Sequence, residues 1–174
     1  MELETKVLSR ELQQFLYDNG KTLSTAESCT GGRIAEAIIA TPGASNYFKG
    51  SIVCYTNEIK EKLLGVNHQI LEEKTAVCEE VATQMVQGVC EALNTDYAIS
   101  ATGYAGPSAG DTNGIPVGTI WIACGSKNKV TTLKLNEDFG RDINLAIATN
   151  KALRLFLDVI KKELSDGVDF STNK

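Results

Sequence analysis

With 174 residues, 43% of them apolar and 22% charged, the chain has the length of one ordinary domain and a globular composition, able to bury a core without staples. A formal net charge of −5 gives no basic footprint for nucleic acid, so a small anionic ligand has to be held by local dipoles and a few cations. No apolar run is long enough to span a bilayer, and "MELETKVLSREL" has no signal-peptide pattern.

In chain order, Leu8, Leu12, Phe15 and Leu16 keep helical spacing within residues 3–17, and Gly20 stops that helix. "KTLSTA" reads as a short strand and "GGRIAEAIIA" as a helix ended by "TPG"; "GSIVCYT" is a strand and "NEIKEKLLG" a helix. His68, the only histidine, falls in "GVNHQ", read as a surface loop. A His-based metal site is thereby disfavoured, any triad has to be built on His68 alone, and hydrolytic chemistry otherwise needs another base. A helix over residues 79–93 carries Val81, Met85, Val86, Val89 and Leu93 on one face, behind Cys78 as a weak cap. "DYAISATG" is a buried strand and "GYAGPSAGDTNGIP" a long loop. "VGTIWIACG" and "KVTTLKL" form a hairpin through "SKNK". A last helix over 141–164 is expected to bury Ile143, Ile147, Leu153, Phe156 and Ile160, ahead of a loose polar tail over 165–174. The five cysteines are odd in number and include no C-x-x-C pair, which points to buried thiols in a reducing cytoplasm. Helices and strands alternate early and a hairpin comes late. That order predicts a three-layer α/β/α sandwich with a mixed, mostly parallel sheet, in one domain over 1–164.

Ligands of such sheets sit beyond the carboxyl ends of the strands, and three turns leave such ends. In "AESCTGG", Ser28 stands where strand gives way to helix, and the N–H groups of Thr30, Gly31 and Gly32 are expected to suit an oxyanion or a phosphate. In "YTNEIK", Tyr55 ends a strand, Asn57 is the expected N-cap and Lys60 the third helical position. A cation there opposes the helix dipole, which favours the neutral amine that a general base needs. The plain alternative is a solvated Lys60 paired with Glu58 or Glu61. In "SATGYAGPSAG", Ser100, Thr102 and small residues allow close backbone approach to a ligand. Arg141 opens the last helix, either as a phosphate clamp or as a surface Arg beside Asp142. Tyr55 and Lys60 are five apart, not the four that a Tyr–Lys pair on one helix requires, and no G-x-G-x-x-G follows the first strand. That pattern speaks against a nicotinamide-dependent dehydrogenase.

"TAESCTGG", "YTNEIKEKLLGV", "AVCEEVA", "SATGYAGP" and "PVGTIWIA", in this order, closely resemble the CinA carboxy-terminal domain family, over about residues 22–157. The resemblance implies the same three-layer fold and a nicotinamide-nucleotide amidohydrolase: nicotinamide mononucleotide is deamidated to nicotinate mononucleotide and ammonia, with no metal and no cofactor. It also implies a pyridine mononucleotide as the partner, no nucleic acid or membrane, and a homo-oligomer. Many members of that family carry a further amino-terminal domain similar to molybdopterin-binding proteins, which these residues do not include. By the resemblance Ser28 is the nucleophile, activated by Tyr55 and Lys60. Thr30, Gly31, Gly32, Asn57 and the loop holding Thr102, Gly103 and Gly106 line the substrate pocket, and Arg141 meets the phosphate. The family's Gly-Asp-Arg is here Gly140-Arg141-Asp142, and Leu145 stands where an Arg is often found. A noncatalytic nucleotide-binding module that keeps the fold is the competing expectation.

Overall fold

The strand Leu-Ser-Thr-Ala-Glu, Leu23–Glu27 (β1), has no exposed residue, because it is paired on both sides. The structure, a computed structural model, describes residues 2–108 and 113–166. Around β1 the chain builds α1 (Glu2–Asp18), α2 (Arg33–Ile39), β2 (Phe48–Val53), α3 (Asn57–Leu64), α4 (His68–Lys74), α5 (Glu79–Leu93), β3 (Tyr97–Gly103), β4 (Ile120–Ser126), β5 (Lys129–Leu135) and α6 (Arg141–Asp166). The sheet order is β2-β1-β3-β4-β5. β1 runs parallel to β2 and β3, and β4 is antiparallel to both its neighbours. β4 alone therefore runs against the rest, and the sheet is mixed and mostly parallel as the sequence predicts.

Each sheet face has its own core, set by the two-residue alternation of the strands. Leu23, Ile99, Ile120 and Ile122 meet α1, α2 and α6 through Leu12, Ile34, Leu153 and Phe156. The other face offers the small Ala26, Ala98 and Ala123 to Val81, Ala82, Met85 and Val86 of α5, with α3 and α4 outside it. Small residues on that face let α5 lie close to β3 and β4. The three-layer α/β/α sandwich is the observed fold.

Several local expectations are corrected. β2 ends at Val53 and does not reach Thr56; Thr56, in extended backbone, is the N-cap of α3 and accepts from the Ile59 amide. Asn57 is thus the first helical residue and Lys60 the fourth. A helix absent from the sequence reading, α4, begins at His68 with Asn67 as its cap, and His68 lies on the surface against Glu61 at 2.5 Å. In α6, Ile143 is exposed and Ile147 only half-buried, because the buried stripe runs through Leu145, Ala148, Ala152, Leu153, Phe156 and Ile160. Leu145 is therefore a core residue of the α1–α6 layer. Residues 165 and 166 still belong to α6; the rest of the expected tail lies outside the described residues. Cys78 caps α5 with no side-chain bond to its amides.

Candidate active site

From β1 the chain passes to β2 on one side, and from β3 to β4 on the other. A sheet with that change of direction leaves a crevice between the carboxyl ends of β1 and β3. Ser28 stands at this point: its amide donates to Ala101 O of β3 at 2.9 Å, and its carbonyl accepts from Gly31 at 3.1 Å. The turn that follows needs left-handed backbone twice, at Gly31 (φ 58°) and Gly32 (φ 106°), which glycine adopts without a Cβ penalty.

Glu27, the last residue of β1, decides what that turn can bind. Its carboxylate is fully buried and accepts from the amides of Gly32 (3.2 Å), Ile34 (2.9 Å) and Ala35 (3.0 Å). The Gly31 and Arg33 amides are spent on Ser28 O and Thr30 O. The expectation that the amides of Gly31 and Gly32 await an anion is thereby overturned: the protein's own carboxylate already caps α2. Thr30 is fully buried with its hydroxyl unpartnered, and Thr30, Gly31 and Gly32 stand outside the cavity lining.

Lys60 is 2% exposed. Its Nζ bonds Ser28 Oγ at 2.9 Å and Cys54 O at 2.9 Å, which holds the amine at the carboxyl end of β2. Among the described residues no carboxylate lies within ion-pair distance of it, and Glu61 turns instead to His68. Pairing with Glu58 or Glu61 is thus replaced by a direct bond to the serine. Burial pushes the Lys60 amine below its ordinary range, because the ammonium loses its hydration. Cys29, beside Ser28, is buried in the α2–α6 core, and desolvation pushes its thiol up to about 12. It is no thiolate nucleophile.

Ser28 and Lys60 open into a cavity of about 540 Å³, a size that suits a small molecule. Tyr55, Asn57, Thr102, Gly103, Gly106 and Arg141 all line it, so most of the predicted constellation is brought together. Tyr55 is 61% exposed, and its hydroxyl has no hydrogen bond to Ser28 or Lys60. Thr102 spends its hydroxyl on Ala76 O at 2.9 Å, tying β3 to the segment before α5. Ser100 is buried beneath, bonded to Ala82 O. Gly103 is close-packed: a Cβ there would stand 2.6 Å from Ile120 Cγ1. Arg141 lies at the cavity edge with Nη1 on Gly106 O at 2.8 Å, rather than on Asp142. A separate groove of about 530 Å³ runs between α1, α2 and α6, away from the strand ends.

The family model of the CinA C-terminal domain matches residues 5–160. The chain belongs to the CinA C-terminal domain family. It is 43% identical over 152 residues to a CinA-like protein of Endomicrobium trichonymphae, covering 87% of this chain and 34% of that protein. A CinA-like protein of Flavobacterium psychrophilum is 40% identical over 162 residues, 93% of this chain and 38% of the relative. The chain thus spans between a third and two fifths of the length of these CinA-like relatives. Among solved structures, a CinA-superfamily protein of Klebsiella pneumoniae superposes with a TM-score of 0.86 at 29% identity, covering 91% of this chain and 98% of that one. One from Escherichia coli gives 0.84 at 34% identity, with 90% of each covered.

Two residues of this CinA domain escaped the sequence reading. Glu27 carried a signal, an acid ending a strand just before Gly-Gly and a helix. Asn144 carried none: it is buried inside α6, where it donates to Ala105 O (3.1 Å) and Asp138 (2.9 Å) and accepts from the Phe139 amide. It fastens the start of α6, and so Arg141, to the loop after β3.

Proposed function

We propose that the chain is an amidohydrolase that deamidates nicotinamide mononucleotide to nicotinate mononucleotide and ammonia, with Ser28 as nucleophile and Lys60 as base. The observation that carries the reading is the 2.9 Å bond between Lys60 Nζ and Ser28 Oγ, made by a buried lysine with no counter-charge among the described residues. A neutral amine at that distance can take the serine proton as Oγ attacks the carboxamide carbon. The resulting ammonium gives the proton to the departing nitrogen, and ammonia leaves. Water then attacks the acyl-serine, Lys60 again accepts the proton, and its return to Ser28 Oγ releases the carboxylic acid. Thr30, Gly31 and Gly32 stand outside the cavity lining and play no part in this reading. Tyr55 at the mouth orients the ring or passes a proton, and Arg141 receives the phosphate.

Incubation of the purified protein with nicotinamide mononucleotide, with ammonia measured, tests this directly. Stoichiometric ammonia and nicotinate mononucleotide are expected. Tight binding of the nucleotide without release would instead support a noncatalytic module, against which the intact Lys60–Ser28 bond argues.

A further inference from the structure

We propose that Glu27 is a positioning residue of the catalytic turn, holding Ser28 within reach of Lys60 by tying the start of α2 to β1 and β2. This rests on Ser28 being the reacting group, as read above. Three amides and the Thr25–Ser51 hydroxyl pair converge on its buried carboxylate. Oε1 takes the Gly32 and Ile34 amides; Oε2 takes the Ala35 amide and one proton from the hydroxyl pair of Thr25, at 3.1 Å, and Ser51, at 3.4 Å. Thr25 Oγ1 and Ser51 Oγ are themselves 2.7 Å apart, so the cluster spans two strands and a helix. Ser28 to Gly31 is the segment enclosed by this clamp, between Glu27 on β1 and the amides of Gly32, Ile34 and Ala35. Where the clamp closes fixes where Ser28 Oγ points.

The carboxylate also removes a competitor. Three amides at the start of α2 would otherwise face an anion with the positive end of a helix behind them. With Glu27 seated there, the cation left in the cavity lining for a substrate's charge is Arg141.

Glutamine cannot replace Glu27 in this role. Both oxygens face backbone N–H groups, so its NH2 would meet either Ile34 or Ala35 donor to donor. Glu27→Gln therefore keeps the volume and opens the clamp. Thr25→Val, which removes one hydroxyl of the Thr25–Ser51 pair, is the milder variant and carries the test if Glu27→Gln does not accumulate as folded protein. The readouts are amide hydrogen exchange over residues 28–35, the rate at which a fluorophosphonate probe labels Ser28, and kcat, KM and the pH profile per titrated active site. In Glu27→Gln, exchange at Gly32, Ile34 and Ala35 speeds up while the β-sheet stays protected. Labelling and kcat fall about a hundredfold, the scale expected for a nucleophile misplaced by about 1 Å. KM and the ascending limb of the pH profile stay where they are. Thr25→Val shows the same pattern at several-fold. Unchanged labelling per folded molecule despite faster exchange would overturn the proposal, as would a shifted pH limb, which would make Glu27 a proton carrier. Wild-type protein that labels at Ser28 but releases no ammonia would remove the amidohydrolase reading and leave Glu27 in its place. Wild-type protein that fails to label at Ser28 overturns both.

Discussion

Ser28 and Cys29 are chain neighbours that both border the cavity. One bonds an amine; the other packs into the core with a thiol held protonated by burial. Ser28→Ala is expected to abolish ammonia release with an unchanged melting temperature, while Cys29→Ala keeps turnover; the reverse pattern would exchange their roles. Lys60 is the other half of the pair. Its lowered amine means that rate climbs with pH along a limb below the ~10.4 of a free lysine. Lys60→Arg keeps a cation that does not deprotonate, so a variant nearly as inactive as Lys60→Ala is expected. An active Lys60→Arg enzyme would leave Ser28 without its base. Stability reports the same proton by a separate route. Between the lowered folded value and ~10.4, the unfolded lysine is protonated and the folded one is not, so the unfolded state binds more protons and stability rises with pH. Below the folded value that contribution is constant. Urea unfolding of wild type against Lys60→Met should show the difference moving in favour of wild type as pH rises toward ~10.4; a flat difference would mean an unperturbed amine.

The elements matter through how they deliver these groups. α3 carries Lys60, and its far end is held against α5 at Gly88, where a Cβ would stand 2.1 Å from Leu64 O. Helix propensity alone disfavours glycine in mid-helix by about 1 kcal/mol, so Gly88 is present for the close approach. Gly88→Ala should cost about 1–3 kcal/mol, read by denaturant unfolding. It should also lower kcat, because α3 has to shift and Lys60 moves with it. Equal stability and full activity would show that the two helices have room to spare. Patterning made most elements readable: residues 79–93 and 129–135 were delimited by the sequence as the structure has them. α4 was not, since its seven residues are too short for a helical period to declare itself. The start of α3 was misplaced by one residue because Thr56 and Asn57 are both good caps. Only backbone geometry, with Thr56 extended and bonded to the Ile59 amide, separates them.

At the scale of the whole molecule, the cavity is assembled from the ends of β1, β2 and β3 and the start of α6, segments spread over more than a hundred residues of chain. Arg141 reaches it because Asn144 and its own bond to Gly106 dock α6 on the loop after β3. Arg141→Ala should raise KM for the mononucleotide about tenfold to a hundredfold, the worth of a charge-assisted contact. The loss should shrink for the nucleoside lacking the phosphate. Equal losses on both would make Arg141 a fastening for the loop.

The sequence by itself determined the layer order, since alternating apolar runs and glycine stops impose their periods locally. It also determined that histidine chemistry rested on His68 alone and that Ser28 and the segment from Tyr55 to Lys60 followed strands. What only the tertiary structure decided was which of these meet. Lys60 lies 32 positions from Ser28 and reaches it because β2 lies beside β1; a motif cannot encode that distance. Tyr55, adjacent in the same motif, faces the opening instead. The Gly32 amide looked free because a local pattern shows a donor and not the acceptor folded onto it. Glu27 fills that role through a buried carboxylate, and burial is a property of the packed molecule.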